Sequence, residues 1–240
     1  MNAHGAAQRA STSGRVPTAE TPSVLFRDER FVVLDKPAGL PVHPGPRGGA
    51  SVEDWFPLLS RRKDGPWLAH RLDADTAGCL VVALRKAALL AAQAAFAEGR
   101  ARKTYWAVVR GVPPDPSGTV TAHLRRVSTK GGWRMVTGDG GQDAVTDWRL
   151  RGHDGDIAWL ELSPRTGRTH QVRAHCALLG CPVLGDPVYG GDPESSRREA
   201  LHLLARAIVL PLEPTVSAVA DPPVHMRAAL RSCGWDPAAG

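Results

Sequence analysis

The sequence predicts an α+β protein whose strands pair largely antiparallel, with helices and loops flanking a central sheet. Three observations predict it. Residues 120–124, 134–137, 144–150 and 157–162 alternate or cluster apolar side chains as strands do. Glycines at 131–132 and 138–141 place turns between these runs, and strands joined by short turns pair antiparallel. Helical segments stand apart from them: an Ala- and Leu-rich stretch at 85–99 closed by Gly99, and an amphipathic stretch at 169–179 ended by Gly180.

The remaining elements follow in order. Residues 1–22 are rich in Ala, Ser, Gly, Thr and Pro, without the apolar centre of a signal peptide, and read as a disordered tail. Residues 24–26 and 31–34 form a hairpin or strand pair around the charged segment 27–30. Proline and glycine at 35–45 force an extended, turning connector, and residues 46–49 read as mobile. Ser51 is placed as an N-cap, with Glu53 and Asp54 suited to a helix start and Val52, Trp55, Phe56 and Leu59 at helical spacing up to a stop at 63–66. Residues 79–84 are a continuous apolar run, a buried strand, and 104–111 another strand. Residues 182–190 are a turn-rich loop, 192–199 a polar loop, 201–211 the last strand and 221–230 a short terminal helix.

The 240 residues suffice for one large domain or two small ones. A formal net charge of +6 suits a polyanionic partner. The four cysteines form no Cys-x-x-Cys pair, which argues against a disulfide frame or a zinc site. No apolar run has the length of a membrane span.

Two stretches carry chemistry. The first, His70-Arg71-Leu72-Asp73-Ala74-Asp75-Thr76-Ala77-Gly78, is a polar loop ahead of the buried strand. Charges of both signs there are paired, solvated or functional, so Asp73 is either a catalytic carboxylate or a brace for Arg71. The second runs from Ser163 to His175. Its Arg165, Arg168 and Arg173, near a helix start, suit a phosphate or a carboxylate. His170 and His175 lie on different helix faces and make a poor metal pair. Arg125, Arg126, Lys130 and Arg134 around Trp133 are either a solvated face or a phosphate-contacting arm.

His-Arg-Leu-Asp-x-x-Thr-Ala-Gly before an apolar strand resembles the signature of the RluA family of RNA pseudouridine synthases. His70 favours the RluA type, since related synthases of the RsuA type usually carry Gly there. Four further blocks resemble the family in order: residues 31–45, the Lys103-Thr104-Tyr105 strand, Thr166-Gly167-Arg168-Thr169-His170-Gln171-Val172-Arg173 through 190, and the Leu201-His202 segment. Ala77 stands where Ser is commoner, and Leu210-Pro211 where His-Pro is usual.

The resemblance implies a mixed, largely antiparallel central sheet in a single catalytic domain, residues 23–240, with no S4-type RNA-binding domain. It implies isomerisation of uridine in structured RNA, an rRNA or tRNA stem-loop, by a cytoplasmic monomer needing no cofactor, metal or membrane. Asp73 becomes the catalytic carboxylate, acting as nucleophile or as base at the sugar. Arg168 is expected to pair with Asp73, and Tyr105 to lie over the target base. Arg71 is expected to enter the space a flipped nucleotide leaves. His70, Thr76, Lys103, Arg165, Thr169 and Arg173 are expected to contact substrate, Lys103, Arg165 and Arg173 through phosphate.

Overall fold

The computed structural model describes residues 21–45, 48–129, 132–190 and 199–238. Residues 1–20 of the expected tail, residues 46 and 47, Lys130, Gly131 of the expected 131–132 turn, and 192–198 of the expected polar loop lie outside the described residues.

Eleven strands make one sheet: β1 (Ser23–Arg27), β2 (Phe31–Lys36), β3 (Trp67–Leu68), β4 (Ala77–Ala83), β5 (Arg102–Arg110), β6 (Ser117–Thr129), β7 (Gly132–Thr137), β8 (Gln142–Asp154), β9 (Ile157–Pro164), β10 (Leu203–Leu210) and β11 (Val216–Val219). Across the sheet the order is β1-β2-β4-β10-β5-β9-β8-β6-β7, with β3 on β4 and β11 on β10. All pairings are antiparallel except β4 with β10, which meet in parallel at Leu204–Ala77 and Ala205–Gly78. The sheet is thus mixed and largely antiparallel, as expected.

The core explains why the 79–84 run is unbroken. Every residue of β4 is buried, because both sheet faces are covered there. Cys79, Val81 and Ala83 pack on one side with Ala88, Leu89 and Ala92 of α2 (Lys86–Ala97) and Met226 and Leu230 of α4 (Val224–Ser232). Leu80, Val82 and Leu84 pack on the other with Val52, Trp55 and Leu59. Gly78 adopts φ +103°, and a Cβ there would lie 2.4 Å from the Ala205 carbonyl oxygen. The glycine closing the first motif is therefore required where β4 docks on β10.

Several boundaries differ from expectation. The helix after Ser51 is a single 3₁₀ turn, Val52–Trp55, and one α-turn, Phe56–Leu59; Asp54 accepts the Ser51 N–H at 2.9 Å, but Ser60 is already extended. β6 and β8 each run 13 residues, far past their apolar centres, because with β7 they form an arm whose outer residues are held by the backbone ladder and by polar pairs such as Thr119–Asp147 and His123–Asp143. The last strand is β11, not β10: Val216 and Ala218 bury one face of a four-residue strand too short to announce itself. The remaining helix, α3 (Gln171–Leu178), begins two residues late, since His170 is left-handed at φ +53°. Among the described residues no helix is long and apolar enough to cross a membrane.

Candidate active site

The loop between β3 and β4 carries Asp73, and Lys36 anchors it. Lys36, fully buried at the end of β2, donates to the carbonyls of Pro37, Leu40 and Ala74 at 2.8, 2.8 and 2.7 Å. Burial pushes its pKa down to about 8, against the pull of Asp75 and Asp73, so the ammonium remains charged at neutral pH with each N–H on an acceptor. Gly39 N–H adds a second bond to Ala74 O, and Thr76 N–H bonds Asp73 O. The Pro/Gly connector is thus a buttress for the loop.

His70 braces the loop from the other side. Its Nε2 accepts the Val81 N–H at 3.0 Å, and its ring leans on Phe96 with centroids 5.0 Å apart. Burial, helped by the Lys103 charge, holds its pKa near 4. It is therefore a neutral strut. Thr76, at the far end of the loop, is buried, while Arg71 is exposed where it lines the cavity.

Asp73 faces α3. Arg173 Nη1 lies 3.5 Å from Asp73 Oδ2. The other guanidinium nitrogens, Nε and Nη2, each donate to Asp186 at 2.7 Å. Asp186 is fully buried and also accepts the N–H groups of Val188 and Tyr189. A two-point contact of this kind fixes the plane of the guanidinium, leaving Nη1 to face Asp73. His170 Nε2 sits 3.2 Å from that same Nη1 and 3.7 Å from Asp73 Oδ2.

The expected Asp73–Arg168 pair is not formed. Arg168 Nε donates to the Asp143 carbonyl at 3.0 Å, and its backbone N–H to Gln171 Oε1 at 2.9 Å. The physical reason is the left-handed turn at His170, which starts α3 so that position 173, one turn in, faces the loop. Arg173, expected on phosphate, is instead 3 % exposed and committed to two carboxylates. Arg165 is also engaged: exposed, it holds Asp147 with two bonds of 2.6 and 2.8 Å, so its charge is already offset.

Lys103 spans from β5 to the loop before α3, donating to Thr166 O at 2.8 Å, and burial lowers its pKa to about 8. Tyr105, paired with Leu162 across β5–β9, is kept a neutral phenol: burial, then the Asp73 charge, push its ionisation above the usual range. Asp73, Tyr105, Lys103, Arg168 and Thr169 share one cavity of about 500 Å³ with Phe96 and Leu203. That volume is in the range of small-molecule sites.

Sequence reasoning missed Asp186 and Tyr189. The signal was a lone acid within Gly185-Asp186-Pro187, amid apolar residues, where an unpaired charge is costly. Lys36 gave a weaker signal, a lysine closing an apolar strand. The histidines have separate surroundings: His43 bonds Glu53, His70 accepts from Val81, His170 meets Arg173, and the His175 ring is buried without a partner among the described residues.

Burial holds the pKa of His175, like that of His70, near 4, below the ordinary 6.5. On unfolding each regains the higher value, so below pH 6.5 the unfolded chain binds more protons. Stability should therefore fall as pH drops from about 6.5 towards 4. Urea unfolding at stepped pH checks this; a flat profile across that window would contradict the buried neutral state of both rings.

A family model described as RNA pseudouridylate synthase matches residues 30–178. An uncharacterized RNA pseudouridine synthase of Zymomonas mobilis is 38 % identical over 183 residues, covering 75 % of this chain and 84 % of that one. The ribosomal large subunit pseudouridine synthase C of Rickettsia bellii is 32 % identical over 194 residues, covering 79 % of this chain and 64 % of its own length. The solved structure of human RNA pseudouridylate synthase domain containing 4 superposes with a TM-score of 0.74 at 29 % identity, over 88 % of this chain and 92 % of that one.

Proposed function

The chain belongs to the RNA pseudouridylate synthase family, and from that premise we propose that it is an RluA-type enzyme that isomerises uridine in an rRNA or tRNA stem-loop through Asp73. The observation that carries the reading is a carboxylate lining a cavity with Tyr105 and Arg173, the Arg173 Nη1 3.5 Å from it. His70 and the likeness to a ribosomal large subunit pseudouridine synthase C support the RluA type.

In this reading the target uridine leaves the stack and enters the cavity, since a stacked base is out of reach of the side chains. The C1′–N1 bond breaks with Asp73 as nucleophile or as base at the sugar. The uracil turns, and C5 bonds to C1′. The proton on C5 is lost and N1 gains one, so the reaction is balanced without oxidant or energy source. Arg173 sets a cation 3.5 Å from the carboxylate and aims it. Tyr105 supplies a neutral aromatic face for the base. Lys103, Arg168 and Thr169 line the same cavity for the sugar and phosphate, and the exposed Arg71 lines it as well, to fill the gap in the RNA.

Arg125, Arg126 and Arg134 are exposed on the β6–β7 arm and offer cations to the RNA backbone. The four cysteines are all free and buried, which suits action in the reducing cytoplasm. Pseudouridine mapping across cellular RNA, with and without the gene, tests the proposal. One or a few uridines should lose modification and regain it with purified protein. An unchanged map, together with no tritium release from RNA labelled at uracil C5, would overturn it.

A further inference from the structure

Trp133 is the residue of the arm that stacks on His170, the neighbour of Asp73 and Arg173, and no motif contains it. It lies on β7, stacked on His170 with ring centroids 4.5 Å apart and planes 26° off parallel. The Arg126 guanidinium carbon from β6 sits 4.4 Å from the indole centroid. Met135, two residues along β7, donates its N–H to Tyr189 Oη at 2.9 Å, and that oxygen lies 3.3 Å from His170 Nδ1. The arm therefore grips His170 twice, by stacking and through Tyr189.

His170 in turn shares one nitrogen with Asp73. Arg173 gives Nε and Nη2 to Asp186, and the two hydrogens of Nη1 serve His170 Nε2 and Asp73, so a bond accepted by Nε2 turns the other hydrogen towards the carboxylate. Nε2 accepts from Nη1 only while it carries no proton, which places the imidazole proton on Nδ1, facing Tyr189. A proton on Nε2 would turn the contact with Arg173 into a clash of donors. It would also offer Asp73 a second cation, 3.7 Å away, in place of Arg173.

We propose that Trp133 is a positioning residue of the isomerisation: by capping His170 it keeps the imidazole neutral and accepting from Arg173, and so keeps Arg173 aimed at Asp73. This rests on the proposed function. The charged and titratable groups facing the imidazole are Asp73 and Arg71 from the catalytic loop, Arg173 from α3, and Asp186 and Tyr189 from the following loop; Arg126 lies beyond the indole. Burial is the largest influence on His170 and lowers its pKa, the Asp73 charge opposes it, and Arg173 reinforces it. Trp133 supplies part of that burial. Removing the indole admits water to the ring and makes protonation easier.

The test compares Trp133→Ala and Trp133→Phe with the parent, as full-length folded protein. The His170 ring is titrated by NMR without RNA. Single-turnover tritium release is measured against pH with enzyme in excess, using 5-tritiated uracil in RNA from cells lacking the gene. In Trp133→Ala the ring should titrate higher, by about one pH unit, and the acid limb of the rate should move up with it. Trp133→Phe, which still stacks, should keep both near the parent. The proposal is overturned if both curves of Trp133→Ala overlay the parent, if the ring titration moves and the rate profile does not, or if the variant only binds RNA less tightly. If the parent itself releases no tritium, the proposed function fails, while the ring titration still decides the role of the stack.

Discussion

Asp73→Asn is expected to give a folded, RNA-binding protein without detectable isomerase activity. The substitution keeps the size of the side chain and leaves untouched the backbone bonds that hold the loop, Thr76 N–H to Asp73 O and Gly39 N–H to Ala74 O. It removes the one carboxylate within reach of Arg173 that is not already saturated, since Asp186 is spent on four donors. A neutral amide can act neither as nucleophile nor as base at the sugar, so the loss should be of the rate and not of affinity. RNA binding and tritium release from uracil C5 are the paired measurements. Substantial release by the variant would remove Asp73 from its role.

Arg173→Ala should be the most damaging single change among the cationic residues, and Arg168→Ala far milder. Without Arg173 the fully buried Asp186 keeps two backbone N–H bonds and loses its cation, and breaking a buried pair from one side costs about 3–5 kcal/mol. The rate should fall with the stability. Arg173→Lys should recover only part, as an ammonium cannot make the planar two-point contact with Asp186. Arg168→Ala deletes one bond to a backbone carbonyl, worth about 1 kcal/mol, and should weaken RNA binding with the rate restored at saturating RNA. Chemical denaturation and single-turnover rates on the two variants decide between them. Equal damage from both would mean that Arg168 reaches Asp73 in a way the free protein does not display.

The amino-acid sequence by itself determined the elements whose physics is local. The unbroken apolar run at 79–84 beside turn residues reads as a buried strand, and β4 is that strand. The Ala/Leu segment is α2, the glycine-punctuated strands are the antiparallel half of the sheet, and the polar loop ahead of β4 holds Asp73. Those readings rest on periodicity, turn chemistry and burial, all written in consecutive residues. Which arginine meets Asp73 was not written there. Arg165, Arg168 and Arg173 are the same residue type within nine positions, and each reads as an anion partner. Three contacts from elsewhere in the chain separate them: Asp147 of β8 takes Arg165, the Asp143 carbonyl takes Arg168, and Asp186 turns Arg173 towards the catalytic loop. The left-handed His170 and the Trp133 that stacks on it belong to the same class, since a ring on an arm strand acquires its partner only when β7 folds beside α3. A charge's role depends on which opposite charge lies within a few ångströms and on how much water is left between them, and only the tertiary structure sets both distances.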